Sequence, residues 1–276
     1  MHSINSSEFT RMIPLKKTPP VLYFCARCLM SARFILMEDS KPQVSKYYRF
    51  KWYVDVFISI VTLPVIGSLI LIFMFLTWLT SKGPVLYSQI RCSKDGKPFR
   101  IYKIRSMVVD AETKGRAVWA GKRDPRVTAI GSFMRKLHLD ELPQIWNVWR
   151  GEMTVIGPRP ERPELIEQLK KEIVCYEHRM MVIPGLTGLA QLNRPSDTDL
   201  RDVRKKLILD LEYIEEASFW LDMRILLGTA FKFVRIKNAR INNLPLQLFG
   251  VYRDPAQSHW VDIIGSEDFD DTTIIR

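Results

Sequence analysis

Two adjacent carboxylates, Asp140 and Glu141, stand in the stretch His138-Leu139-Asp140-Glu141-Leu142-Pro143-Gln144-Ile145-Trp146-Asn147-Val148-Trp149. Leu142, Ile145, Trp146 and Trp149 recur at helical spacing, which predicts a short amphipathic helix with one apolar face. Pro143 suits its first turn, where backbone N–H groups lack intrahelical partners in any case. The carboxylates therefore fall at the helix start. Free N–H groups and the positive end of the dipole favour a phosphate there, or a metal ion that neutralises several anions. Carboxylates can attack phosphorus or ligate a hard cation. Taken alone, Asp140 has a simpler reading as a helix cap.

Several basic residues could serve the same chemistry. Arg159 lies between Pro158 and Pro160, whose rings restrict its backbone and that of its predecessor. A guanidinium presented from so stiff a loop suits a pair of phosphoryl oxygens, although a surface arginine between turn prolines is the plainer alternative. Lys103 and Arg105 close a predicted strand and could grip a diphosphate or phospholipid, while solvated edge-strand charges are the commoner case. Thr128 to Leu139 predicts a short helix that carries Arg135 and Lys136 toward the carboxylates. His178, beside Arg179 at a helix end, reads as complementing the dipole rather than as a catalyst. Gly185-Leu186-Thr187-Gly188 is too short for a dinucleotide or P-loop fingerprint.

The elements that must position these groups begin with an apolar run. No charged residue occurs from Val56 to Thr80, a length that normally means one transmembrane helix. Pro64 interrupts it, and both flanks are basic: Lys46, Arg49 and Lys51 before, Lys82, Arg91, Lys94 and Lys97 after. The positive-inside rule would place both ends on the cytoplasmic side. A hairpin broken at Pro64 satisfies that, since arms over 51–63 and 65–80 measure roughly 20 and 24 Å against a hydrocarbon core of about 30 Å. A kinked span that crosses the bilayer is the alternative.

Val85–Ile90 and Phe99–Ile104 predict two strands joined through Asp95-Gly96. Residues 110–130 read as a polar loop of lid-like length. Thr154-Val155-Ile156 predicts a short strand, Pro163 to Met181 one helix stopped by Pro184-Gly185, and 200–214 and 219–236 two more amphipathic helices. The last of these carries Lys232, Arg235 and Lys237 at its end and could rest among lipid headgroups or on the domain core. Near the start, residues 1–20 lack the apolar centre of a secretory signal. Val21 to Met37 is apolar but interrupted by Arg27 and Arg33, and reads equally as an amphipathic surface helix or a packed one.

The formal net charge of +11 over 276 residues implies an acidic partner: nucleic acid, an anionic membrane or a polyanionic small substrate. The charge is spread rather than massed, and no helix-turn-helix, paired zinc-ligand or RNA-sheet pattern accompanies it, so nucleic acid is the least favoured. Cys25, Cys28, Cys92 and Cys175 form no disulfide framework, and Cys25-Ala26-Arg27-Cys28 is half a zinc site without a second pair; all four read as ordinary thiols.

One resemblance gathers these pieces. Lys51…Asp55, Thr80-Ser81-Lys82-Gly83-Pro84-Val85, Gly96-Lys97-Pro98-Phe99, Tyr102-Lys103-Ile104-Arg105-Ser106-Met107, Leu139-Asp140-Glu141-Leu142-Pro143-Gln144, Ile156-Gly157-Pro158-Arg159-Pro160 and Pro184-Gly185-Leu186-Thr187-Gly188-Leu189-Ala190-Gln191 occur in this order. From about residue 51 to 235 the chain resembles the bacterial sugar transferase family, the monotopic phosphoglycosyl transferases that begin glycan assembly on a polyprenol carrier.

The resemblance implies an α+β fold: a re-entrant membrane helix-break-helix, then a mainly helical cytoplasmic domain with a small β-hairpin or sheet and amphipathic surface helices. Four parts are expected: an N-terminal extension over 1–50, the re-entrant helix over 51–81 broken at Pro64, a catalytic domain over 82–237 and a tail over 238–276. The implied reaction moves a sugar-1-phosphate from a nucleoside diphosphate sugar, such as a UDP-sugar, to polyprenyl (undecaprenyl) phosphate. Asp140 would be the nucleophile and Glu141, with Asp140, the Mg²⁺ ligand. Arg159, Arg135, Lys103, Arg105, Gln144, Pro158 and Pro160 would line the substrate. The expected place is the cytoplasmic face of a bacterial inner membrane, in contact with lipid and without nucleic acid. A non-enzymatic membrane-anchored scaffold of a polysaccharide assembly complex is the alternative. Three departures from the family pattern, Leu63 before Pro64, Ile183 at a usually basic position and Arg194-Pro195 for a frequent Gly-Arg, fall at the helix break and the nucleotide end.

Overall fold

The apolar run folds as one helix, α1 (Tyr48–Thr80), with Pro64 inside it. The computed structural model describes residues 41–109, 124–194, 199–234, 246–247 and 249–264. The expected helix at 21–37, the Cys25/Cys28 pair, most of the loop at 110–130, Arg235, Lys237 and much of the tail therefore lie outside the described residues. The expectation of two arms separated at Pro64 is corrected in one respect: the helix continues through the proline. Proline removes one N–H from the ladder, and hydroxyls in the adjoining turns add bonds to the helix backbone. Thr62 Oγ1 donates to the Ile58 carbonyl at 2.8 Å and Ser68 Oγ to the Pro64 carbonyl at 2.7 Å.

One stripe of α1 is buried, half-buried residues such as Leu69, Met74 and Leu76 flank it, and much of the remainder is exposed apolar surface. Lys51, Asp55 and Ser59 are buried four residues apart in its first half, Phe73 and Thr77 in its second. Phe57, Val61, Val65, Leu71, Ile72 and Phe75 are exposed. Among the described residues α1 is the one helix long and apolar enough to cross a membrane. Its second half packs with Ile104 and Met134, and Phe73 stacks on Phe133.

After α1 the chain makes the expected antiparallel hairpin, β1 (Leu86–Cys92) with β2 (Pro98–Ile104), in register Tyr87 opposite Lys103. Asp95 and Gly96 both take positive φ, 57° and 73°, which matches the turn to the strand twist. Helix α2 (Ala129–Lys136) follows, capped by the Thr128 hydroxyl accepting from Gly131 N at 3.0 Å. A 3-10 turn over Leu139–Gln144 runs into α3 (Ile145–Trp149), and β3 (Thr154–Ile156) comes next.

The predicted helix from Pro163 to Met181 is two pieces: α4 (Pro163–Glu172) and a 3-10 turn over Tyr176–Met181. Ile173 is extended and Cys175 left-handed at φ 61°, so the chain turns between them. It then forms β4 (Gly185–Thr187), which pairs in parallel with β3. No strand was expected there. A methyl group at Gly185 would overlap the Gly157 amide, so these glycines serve close backbone approach. Helices α5 (Leu189–Asn193), α6 (Leu200–Glu216) and α7 (Phe219–Val234) follow, with a last short helix, α8 (Val261–Ile264). Mostly helical with two small sheets, the described residues match the expected α+β class.

Two buried clusters support the site from below. One joins Phe99 and Ile101 of β2, Val148 of α3, Val155 and Ile156 of β3, and Leu221 and Ile225 of α7. The other joins Ile166 and Leu169 of α4 to Leu207, Ile208 and Leu211 of α6.

Candidate active site

The carboxylate pair is delivered by a reversal. Helix α2 ends at Lys136, His138 takes a left-handed conformation at φ 51°, and the chain turns into the 3-10 segment that carries Asp140 and Glu141 in its first turn. The pair stands at the start of a helical segment, as expected, although the first turn is wound more tightly than an α-helix. Asp140 is buried at 8% exposure, and Gln144, one turn on, at 4%.

Glu141 is the electrostatic centre. Its Oε1 accepts from Lys103 Nζ at 2.7 Å and from Arg159 Nη2 at 2.7 Å, and its Oε2 accepts from Arg159 Nη1 at 3.2 Å. The Arg159 contact is the two-pronged pairing that a planar guanidinium makes with a carboxylate. β2 supplies Lys103, the loop after β3 supplies Arg159, and the 3-10 turn supplies Glu141. Burial works to raise the Glu141 pKa, but Arg159 and then Lys103 more than offset it and hold the carboxyl well below its ordinary range. The Glu141 charge in turn raises that of Arg159.

Asp140 differs from its neighbour. Burial first, and then the Glu141 charge, push its pKa up to about 6, against the opposing pull of Lys103 and Arg135. Arg135, half-buried in the last turn of α2, thus lies within electrostatic reach of Asp140. The structure therefore brings together Asp140, Glu141, Arg159, Lys103 and Arg135.

Other expected site residues have mainly backbone or helix roles. Pro158 and Pro160 are buried on either side of half-buried Arg159, and their carbonyls accept from Gly185 N at 2.8 Å and Arg91 Nη1 at 3.2 Å. Arg105, at 7% exposure, turns to the end of α1. Its Nη1 donates to the Lys82 carbonyl and its Nη2 to the Ser81 carbonyl, each at 2.8 Å. A guanidinium so placed satisfies orphan carbonyls just past a helix C-terminus.

His178 is buried in the 3-10 turn rather than at the end of a continuous helix. Its neighbour Arg179 reaches the Arg159 carbonyl at 3.1 Å, a link that the sequence does not signal because no periodicity marks it. A second such link ties α1 to α7: buried Lys51 pairs with buried Asp222, whose other oxygen accepts from Tyr213 at 2.6 Å.

Among the described residues no group of three or more His, Cys, Asp or Glu side chains could hold a metal ion by itself. The Asp140–Glu141 pair nevertheless suits Mg²⁺, which takes hard oxygen donors and commonly only one or two protein carboxylates, with phosphate oxygens and water completing its shell.

The arrangement combines a buried carboxyl with a raised pKa, a second carboxylate held by Lys103 and Arg159, and a further cation, Arg135, within electrostatic reach. The profile of the bacterial sugar transferase family matches residues 46–236, and the chain belongs to that family. It is 42% identical over 185 residues to the UDP-glucose:undecaprenyl-phosphate glucose-1-phosphate transferase of Klebsiella pneumoniae, covering 66% of this chain and 40% of that protein. It is 41% identical over 175 residues to the UDP-N-acetylgalactosamine-undecaprenyl-phosphate N-acetylgalactosaminephosphotransferase of Aeromonas hydrophila, covering 63% of this chain and 41% of that one. Against the exopolysaccharide production protein PSS of Rhizobium leguminosarum bv. phaseoli, identity is 39% over 184 residues, covering 63% of this chain and 90% of its relative. The match thus spans less than half the length of the first two relatives.

Proposed function

We propose that this protein transfers a sugar-1-phosphate from a nucleoside diphosphate sugar, in the first instance a UDP-sugar, to a polyprenyl phosphate such as undecaprenyl phosphate. The observation that carries the reading is Glu141, gripped by Lys103 and Arg159 beside the buried carboxyl of Asp140. A carboxylate oxygen of Asp140 attacks the sugar-proximal phosphorus. A bond forms from that oxygen to phosphorus, and the bond from phosphorus to the nucleoside monophosphate oxygen breaks, releasing UMP from a UDP-sugar. An oxygen of the polyprenyl phosphate then attacks the same phosphorus, freeing the Asp140 carboxylate and giving a polyprenyl-diphospho-sugar.

Arg159, Lys103 and Arg135 stabilise negative charge on the transferring group from fixed positions. Glu141, with Asp140, would hold Mg²⁺, which when bound neutralises phosphate oxygens during phosphoryl transfer. Burial of Asp140 limits access of water to the intermediate. A scaffold reading gives no use to the paired carboxylates or the cations converging on them.

The anchor fits the second substrate, which stays in lipid. Both halves of α1 pack on the same folded unit, through Ser59 with Trp149 at 2.6 Å and through Phe73 with Phe133. That supports a helix that enters and leaves the lipid by one face, which this reading takes to be the cytoplasmic face of a bacterial inner membrane. The test incubates membranes containing the full chain with a panel of UDP-sugars, undecaprenyl phosphate and Mg²⁺. The reading requires one sugar nucleotide to liberate UMP and yield a lipid-linked sugar. Failure of the whole panel, with the protein folded in the membrane, contradicts it.

A further inference from the structure

Behind Arg159 lies a second set of charged side chains that the transfer reaction does not use directly. Four successive carbonyls of the loop each accept a hydrogen bond. Pro158 O accepts from Gly185 N at 2.8 Å and Glu161 O from Cys92 N at 3.0 Å, both backbone donors. Arg159 O accepts from Arg179 Nη2 at 3.1 Å, and Pro160 O from Arg91 Nη1 at 3.2 Å. Proline has no N–H, so at two of these four positions the carbonyl is the one backbone group that can be tied down. The donor on Arg159 itself is a side chain.

Arg179 is held at both ends of its fork. Its Nη2 also meets Asp210 Oδ2 at 2.7 Å, and its Nη1 donates to the Tyr176 hydroxyl at 2.7 Å. Side-chain exposure is 9% for Arg179 and 4% for Asp210. A buried ion pair of this kind is a weak source of net stability, because desolvation offsets much of its Coulombic gain. What the pair does hold is the carbonyl of the residue whose guanidinium engages Glu141. It can do so because the chain turns at Ile173–Cys175: a helix continued to Met181 would carry Arg179 onward instead of back to the loop.

We infer that Arg179, backed by Asp210 on α6, is a positioning residue for Arg159. It fixes the backbone between Pro158 and Pro160, so that the guanidinium is already in place when a diphosphate arrives. A lysine cannot reproduce this, since a single ammonium lacks the two-armed reach to Arg159 O, Asp210 and Tyr176 together. The inference rests on the sugar-phosphate transfer reading for its kinetic consequence but not for its structural one.

The experiment uses the full chain in membranes, with whichever of UDP-glucose and UDP-N-acetylgalactosamine the wild type turns over. Arg179→Met is expected to lower kcat for UMP release by about tenfold to a hundredfold, the scale of a small misplacement of a charge-stabilising group. Arg179→Lys is expected not to restore it, and Asp210→Asn to cause a smaller loss in the same direction. The loss should vanish in an Arg159→Ala background, because residues acting through one group are non-additive. Backbone amide exchange at Gly185 and Cys92, which donate to the loop carbonyls of Pro158 and Glu161, should quicken in both Arg179→Met and Asp210→Asn. Additive losses with Arg159→Ala, rescue by lysine, or unchanged exchange at the loop would overturn the inference. If Arg179→Met does not fold, Asp210→Asn carries the same cycle and exchange comparison. If the folded wild type releases no UMP from any sugar nucleotide, the transfer reading fails, and loop exchange alone decides the positioning role.

Discussion

At the scale of residues, the site is a partnership between unlike carboxyls. Glu141 is compensated by Lys103 and Arg159, whereas Asp140 is buried beside that charge without a comparable cation on it, the difference that the proposed roles in binding and attack call for. Arg159 approaches Glu141 with both Nη atoms, and a lysine would offer one. Arg159→Lys should therefore lower kcat for UMP release by about 10²- to 10³-fold, the usual cost of losing a fixed donor to developing negative charge. Steady-state kinetics on membranes checks this, and a change confined to KM would point to ground-state binding alone. The pair and Arg159 were legible in the sequence through the ordered blocks that hold them, since locally Asp140 reads as a helix cap and Arg159 as a surface arginine between prolines. Lys103 was legible only as a strand-end cation. Its contact with Glu141 joins residues far apart in the chain, and no local pattern records such a distance.

At the scale of elements, α1 is fastened at both ends by polar groups buried against the domain. Lys51 pairs with Asp222 and lies 3.6 Å from Asp55, and Arg105 holds the carbonyls just beyond Thr80. Asp222→Ala would leave a buried ammonium short of its closest partner, remove the acceptor of the Tyr47 hydroxyl and leave the Tyr213 hydroxyl with the Ile156 carbonyl alone. The expected loss is about 3–5 kcal/mol, read as a lowered unfolding midpoint in detergent. Arg105→Gln should lower the midpoint as well, while KM for the sugar nucleotide stays within about twofold, since the lost contacts are to helix carbonyls. A KM that rises sharply would return Arg105 to the substrate. Periodicity and turn chemistry foretold the hairpin through Asp95-Gly96, helix α2 and the helices after residue 200. They did not reveal the break at Ile173–Cys175 or the parallel pairing of β3 with β4. A three-residue strand has too few positions to show alternation, and its pairing is decided by Gly157 and Gly185 meeting at close range.

At the scale of the whole molecule, one folded unit presents a charged site and carries a bare apolar helix whose two halves both pack on it. A helix that left by the opposite face of a bilayer would have to give up one set of those contacts. Single cysteines at Arg49→Cys and Lys82→Cys should both react with an impermeant maleimide from the cytoplasmic side only, and labelling of the two from opposite sides would contradict one-sided insertion. On the proposed function, that geometry would let an aqueous sugar nucleotide and a lipid phosphate use the same carboxylate in turn. The most direct measurement supplies the first substrate without the second: full chain in membranes free of polyprenyl phosphate, the accepted UDP-sugar and Mg²⁺, followed by peptide mass spectrometry. A sugar-phosphate adduct on Asp140 is expected, and it should disappear when undecaprenyl phosphate is added. An adduct on another residue, or turnover by Asp140→Asn, would contradict that role for Asp140.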